Sequence, residues 1–199
     1  MQPLAAQLDR LSGPLAPLRE AALRYASFPG SVSPAGVLNI CHRPWVAELN
    51  YMFMLYPGID GQDLAQYCQT FGIDVPAIYS QILTVVNGAF CFGMSLYGVP
   101  ASMLNSPPRL DRSVLQCHDL ATAATSWRLN YEVPDGYFHF GSRHYSYDEN
   151  AGYFHDDQNR IISTLSSGEV VGEWADFAEF LTDELKASEE LEERLHPKA

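Results

Sequence analysis

The sequence predicts an α+β fold: a mainly antiparallel sheet of five or six strands, helices packed against it, and a helical extension at the N-terminus. Three observations predict it. Tyr79, Ile82, Leu83 and Val86 fall at i, i+3, i+4 and i+7 behind Pro76, which marks one amphipathic helix. Between Tyr137 and Gly172, short aromatic and β-branched runs alternate with turn signals, the pattern of an antiparallel meander. Trp174, Phe177, Phe180, Leu181 and Leu185 then form an apolar stripe at helical spacing, a closing helix that needs a sheet to cover.

Taken in order, residues 1–28 carry a leucine stripe at Leu4, Leu8, Leu11, Leu15 and Leu18, interrupted by Gly13-Pro14, so two short helices or a kink are expected. Residues 29–60 are punctuated by Pro29, Pro34, Pro44 and Pro57. They hold two apolar patches, Val37–Cys41 and Trp45–Tyr56, whose periodicity does not distinguish helix from strand; burial is the expectation for the second. Gly61–Phe71 predicts a helix with Leu64, Tyr67, Cys68 and Phe71 on its inner face. The next helix starts with Asp74 as cap and Pro76 in its first turn, and stops at Asn87-Gly88. Ala89–Leu96 predicts one buried strand, and Asp111–Trp127 a weakly striped helix. In the meander, Tyr137–Phe140 is followed by a break at Gly141-Ser142, and His144–Asp148 alternates. Glu149–Gly152 is a turn and Tyr153–His155 pairs back. Asp156–Asn159 is the next turn, before strands at Arg160–Leu165 and Glu169–Gly172. Beyond Lys186 the chain is Glu-rich, which predicts a solvated helical continuation that frays.

The formal net charge is −12, and of the 24 acidic residues only six lie in the first hundred positions. Such a chain repels phosphate backbones, which argues against direct nucleic-acid binding and for a basic protein partner. There is no membrane-length apolar run and no secretory leader pattern, so the expected location is cytoplasmic. The four cysteines are dispersed, without Cys-x-x-Cys, and predict free thiols rather than a disulfide framework.

Three stretches carry a family resemblance. The first runs from Val75-Pro76 through Tyr79 and Asn87-Gly88 to Leu96-Tyr97-Gly98. The second is Phe138-His-Phe-Gly141 leading to Tyr145-Ser-Tyr-Asp148, and the third is Glu173-Trp-Ala-Asp-Phe-Ala-Glu-Phe-Leu181. In this order they resemble the SUKH superfamily (Smi/Knr-like), which takes in bacterial toxin-immunity proteins and fungal cell-wall-synthesis regulators. Ser142 stands where the family often has a second glycine. The resemblance divides the chain into an N-terminal helical and irregular extension (1–60), a SUKH-like α+β domain (61–185) and an acidic tail (186–199).

No P-loop, dinucleotide fingerprint, Gly-x-Ser-x-Gly or His-Glu-x-x-His motif occurs. His144, Asp148, His155, Asp156 and Asp157 could converge on a predicted hairpin, but polar outward and turn positions account for them, and no metal, cofactor or catalytic residue is assigned. Cys41-His42 and Cys117-His118 are neighbours in sequence, a poor geometry for a thiol–base dyad. The resemblance implies an immunity protein that neutralises a cognate toxin by direct binding and occlusion, the partner being a basic protein such as a nuclease domain. Asp148, Glu149, Tyr153, Asp156 and Asp157 are the candidate contact residues. A regulatory scaffold is the alternative, and a hydrolase with an unrecognised site is a third reading. Oligomeric state is left open by the sequence.

Overall fold

The computed structural model describes residues 4–105, 116–144 and 150–195. The architecture is α+β, built on an antiparallel sheet in which every strand pairs with its sequence neighbours. The nine strands are β1 (Ser31–Val32), β2 (Leu38–His42), β3 (Tyr51–Pro57), β4 (Val86–Cys91), β5 (Met94–Leu96), β6 (Phe138–His144), β7 (Asn150–His155), β8 (Ile161–Leu165) and β9 (Val170–Trp174). Among the described residues six α-helices accompany them: α1 (Leu4–Gln7), α2 (Ala16–Tyr25), α3 (Gly61–Phe71), α4 (Ala77–Val85), α5 (Leu120–Asn130) and α6 (Phe177–Leu195).

Several expectations are corrected. The sheet has nine strands rather than five or six, because the N-terminal sixty residues supply three of them. Both undecided apolar patches contribute a strand, β2 and β3. Ala89–Leu96 is not one strand but the two arms of β4 and β5, turned at Phe92, whose φ of 56° reverses the chain. Pro76 precedes the first turn of α4 rather than sitting in it, and Asp74 makes no capping hydrogen bond there. Asn87-Gly88 does not stop a helix in a loop: α4 passes directly into β4, and both residues are buried strand positions. Gly141-Ser142 is no break but part of β6, which absorbs Phe140 as an extra residue by a bulge opposite Tyr153. Asn150–Gly152 belongs to β7 rather than to a turn. The helix expected at 111–127 begins only at Leu120; residues 111–115 lie outside the described part of the chain.

The two faces of the sheet differ. Leu38, Ile40, Phe53, Leu55, Ala89, Cys91, Leu96, Phe140 and Tyr153 point to one side, where α2, α4 and α6 cover them. Tyr79 of α4 reaches the middle of this core and donates its hydroxyl to the carbonyls of Tyr97 (2.6 Å) and Phe140 (3.1 Å), tying helix to sheet. The other face carries Asn39, Met54, Tyr56, Phe90 and, further along, His139 and Phe154; α5 lies over the latter pair.

The C-terminal helix continues past Lys186 to Leu195, as expected, but it is not solvated all round: Ser188 is buried. Glu189 accepts from Arg24 and from the Tyr25 hydroxyl, and Glu192 from Arg43, so this half of α6 clasps α2 and the end of β2 instead of fraying in solvent. Beneath the clasp, Glu184 pairs with Arg143 at 3.1 Å and accepts from the Tyr153 hydroxyl. Burial lifts the Glu184 carboxyl above its usual range, and the Arg143 charge and Tyr153 hydroxyl pull it partly back.

Candidate interaction surfaces

The predicted contact residues are scattered by the fold. Asp148 and Glu149 lie outside the described residues. Tyr153 is not at the surface. It is a fully buried position on the helix-covered face, where its ring packs on Phe180 and its hydroxyl is used by Glu184. Asp156 is buried too. It accepts from the backbone N–H groups of Gln158 (2.9 Å) and Arg160 (2.7 Å) and from Arg160 Nε (2.9 Å), so it closes the β7–β8 turn. Of the candidates described, Asp157 alone is exposed. Nor do His144 and His155 converge. They sit at opposite ends of the β6–β7 ladder, paired with Asn150 and Phe138 respectively. Among the described residues no three His, Cys, Asp or Glu side chains group as a metal site.

Two other surfaces stand out. The first is the β2–β3 connection, residues 43–50. Trp45 is 74% exposed at its tip, the most exposed aromatic among the large apolar side chains that reach the surface. The loop beneath it is firmly held. Arg43 and Asn50 exchange a backbone hydrogen bond (2.8 Å), and Arg43 Nε donates to Asn50 Oδ1 (2.8 Å). The N–H groups of Val46 and Asn50 bond to carbonyls within the loop, and His42 Nε2 meets the Glu48 carbonyl at 2.8 Å while its ring stacks on Tyr51. The Arg43–Glu192 pair brings the end of α6, with exposed Glu190 and Glu193, alongside this loop, and Glu48 is exposed on it. An indole is thus presented by a pre-ordered loop in acidic surroundings, an arrangement that suits insertion into an apolar slot on a basic surface.

The second surface is a pair of adjoining clefts along α5. One, of about 350 Å³, is lined by Phe71, Ala121, Thr122, Thr125, Ser126 and Leu129. The other, of about 330 Å³, shares Phe71, Ala121 and Thr125 and runs on past Asp74, Arg128 and Tyr137 to His139. Leu129 is 80% exposed on its rim, and Phe71, expected on the inner face of α3, is instead exposed. Arg128 donates to the Tyr137 carbonyl across the second cleft.

At its floor, His139 is 2% exposed. Its ring stacks on Phe154 (4.7 Å) and lies 5.0 Å from both Trp127 and Tyr97. Neither ring nitrogen makes a well-aligned hydrogen bond, the backbones of Gly141 and Ala123 being its polar neighbours, and Trp127 Nε1 has no partner. Burial pushes the imidazole pKa down to about 3. Backbone groups of Gly141 and Ala123 pull partly the other way, while the charge of Arg128 adds to the depression. His139 is therefore a neutral side chain in an aromatic nest. Gly152 makes the nest possible: a Cβ there would come within 2.9 Å of the Trp127 ring and 2.7 Å of Phe154.

Sequence reasoning placed neither surface. Trp45 reads as part of the apolar run that becomes β3, although the polar Glu48 and Asn50 fall between it and Tyr51, where the strand begins. His139 reads as a strand residue among aromatics, and only the position of α5 shows that it is capped.

No family model and no curated protein matches this chain. Among the described residues no helix is long and apolar enough to cross a membrane.

Proposed function

We propose that the chain is a non-enzymatic binding protein that neutralises a basic protein toxin by covering it, in the manner of an immunity protein. The observation that carries this reading is the exposed Trp45 indole on its hydrogen-bonded loop. A large apolar side chain held out in water by an ordered loop costs hydration free energy in the free protein, and a partner's slot recovers it. The net charge of −12 suits a basic partner, since opposite fields raise the encounter rate and favour correct register. The ordered resemblance of three stretches to the SUKH superfamily supplies the toxin class. Asp157 is the one described residue of the predicted hairpin set that can still face a partner, and it lies at the opposite end of the strands from Trp45.

The test is calorimetric titration of the purified protein against basic toxin domains encoded beside its own gene, at low and at physiological salt. One-to-one binding that weakens with salt is expected. Trp45→Ala should weaken it by about 30-fold or more, the loss of one interface hot spot. Leu129→Asp, on α5, should leave it within about two-fold if its rim is outside the contact. Absence of binding at low salt sinks the proposal. Binding lost in Leu129→Asp and kept in Trp45→Ala moves the interface to the α5 clefts.

A further inference from the structure

Helix α5 is held unequally at its two ends. At its N-terminus Asp119 accepts from the backbone N–H of Ala121 (3.0 Å), from the Thr122 hydroxyl (3.0 Å) and from the Tyr67 hydroxyl. Tyr67 in turn accepts from Ala121 N–H (2.8 Å), and Gly98 exchanges backbone bonds with His118 and Leu120. This end is anchored to α3 and to the sheet. The other end is not. Past Ala121 the helix buries only Trp127, while Thr125, Ser126, Arg128, Leu129 and Asn130 are exposed. Its hold on the sheet there is the Trp127 nest, the Ala123 backbone beside His139 and the Arg128 bond to the Tyr137 carbonyl.

That nest is polar but poorly satisfied. Trp127 Nε1 and, on the neighbouring strand, Thr164 Oγ1 are buried without partners, and the His139 nitrogens have only poorly aligned backbone neighbours at Gly141 and Ala123. Water could satisfy all of them if the helix lifted, so docking this half of α5 gives up hydrogen bonds as it gains apolar contact. No carboxylate is in place to receive an imidazolium. The groups facing His139 are Trp127 and Arg128 of α5, Tyr97 after β5, Phe154 of β7 and Tyr137 before β6, of which the charged member is a cation. His118, at the entry to α5, is also disfavoured as a cation, by burial and by His144. Asp74 lines the mouth of the same cleft.

We infer that the C-terminal half of α5, with the connection to β6, is an acid-released lid that hinges at Asp119–Ala121 and uncovers His139, Trp127 and Phe154 while the rest of the sheet stays folded. In the open form His139 is solvated and takes up a proton at ordinary acidity; in the closed form it does not, so acid favours the open form. The layer of α2, α4 and α6 lies on the opposite face and meets the lid's contacts at Tyr97 and Ala123, while Trp127, His139 and Phe154 lie outside it. The inference stands independently of the toxin-binding proposal.

The experiment is hydrogen exchange of the full-length protein, read by mass spectrometry at pH 7.5 and 5.0 and corrected for the intrinsic pH dependence. Protection in peptides covering 123–137 should fall by up to about 30-fold at pH 5.0, the ratio that follows from a histidine that is ordinary when open and held near 3 when closed. Peptides from α2, α4 and α6 should hold their protection. His139→Leu should abolish the pH response of α5, and His139→Gln, which keeps a polar group, should abolish it equally. Unchanged α5 protection at pH 5.0, an equal loss in the His139 variants, or loss throughout the molecule at once would each overturn the lid.

Discussion

Asn87→Ala tests the position at which sequence and structure disagree most usefully. An Asn-Gly pair that ends a helix in a loop loses little on truncation, since water replaces the side chain. In the structure Asn87 is buried in β4 and bridges to Val99. Its Nδ2 donates to the Val99 carbonyl and its Oδ1 accepts from the Val99 N–H, both at 2.7 Å. Val99 is fully buried, so truncation strands one donor and one acceptor away from water. At about 1–3 kcal/mol for each group left unsatisfied, the expected loss is about 3–5 kcal/mol. A chain of this size loses roughly 2–4 °C per kcal/mol, so the midpoint should fall by roughly 10 °C. Urea unfolding with the slope held in common gives the free energy directly, and calorimetry gives the midpoint. Gly98→Ala is the companion, because a Cβ there would lie 2.4 Å from the Asn87 carbonyl oxygen and force the same strands apart. A loss below about 1 kcal/mol for Asn87→Ala would refute the reasoning and return the pair to the role of a solvated stop.

Two further outcomes follow from the described contacts. Glu189→Ala removes the acceptor shared by Arg24 and the Tyr25 hydroxyl, and should cost about 1–2 kcal/mol in urea unfolding, most of it from Tyr25, since the Arg24 side chain is half exposed. A loss indistinguishable from zero would show that the end of α6 is the solvated tail its composition suggests. Asp156 is held below its ordinary 3.8. Burial acts against this, but the Arg160 backbone N–H and side chain and the Gln158 N–H outweigh it. Its contribution is therefore present above 3.8 and lost as pH falls through the lower folded value. Asp156→Asn should be less stable than the parent at pH 7, with the two melting curves converging below pH 3.8; a constant gap across that range would contradict it.

The helix-covered half of the fold was legible because it obeys period. Tyr79, Ile82 and Leu83, and Phe177, Phe180, Leu181 and Leu185, are spaced as one helical face and are buried together. What escaped was decided by tertiary partners. Val37–Cys41 and the run before Pro57 become strands because they pair with each other and with β4, which no local window contains. The Glu-rich end of α6 looked solvated because its stabilising partners, Arg24, Tyr25 and Arg43, lie some 150 residues earlier in the chain. The hairpin carboxylates looked exposed because turn residues usually are. Asp156 is buried instead because it serves its own turn, and Tyr153 faces inward because the β6 bulge sets that register.

The unequal treatment of the sheet's two faces has a functional consequence. On one face most polar groups are used: Tyr79 has two carbonyl acceptors, Glu184 has Arg143 and Tyr153, and the rings of Phe140, Tyr153, Phe177 and Phe180 pack on one another, with Ser163 Oγ opposite Tyr153 the buried exception. On the other, Asn39 Oδ1, Trp127 Nε1 and Thr164 Oγ1 are buried without partners, and the His139 ring has only poorly aligned ones. Each unsatisfied atom costs on the order of 1–3 kcal/mol relative to a satisfied one, so the α5 side, which holds more of them, is the less firmly held of the two. The α5 side can then open, or be covered by another molecule, without spending the contacts that keep the sheet folded. Trp45 is independent again. Its loop hangs from β2 and β3 and is braced by Glu192 of α6, so the docking surface we propose is fastened to the stable face while the lid belongs to the other. Acid that opens α5 should consequently leave Trp45-dependent binding intact. A partner whose affinity fell in step with α5 exchange as the pH was lowered would show that the two surfaces are coupled.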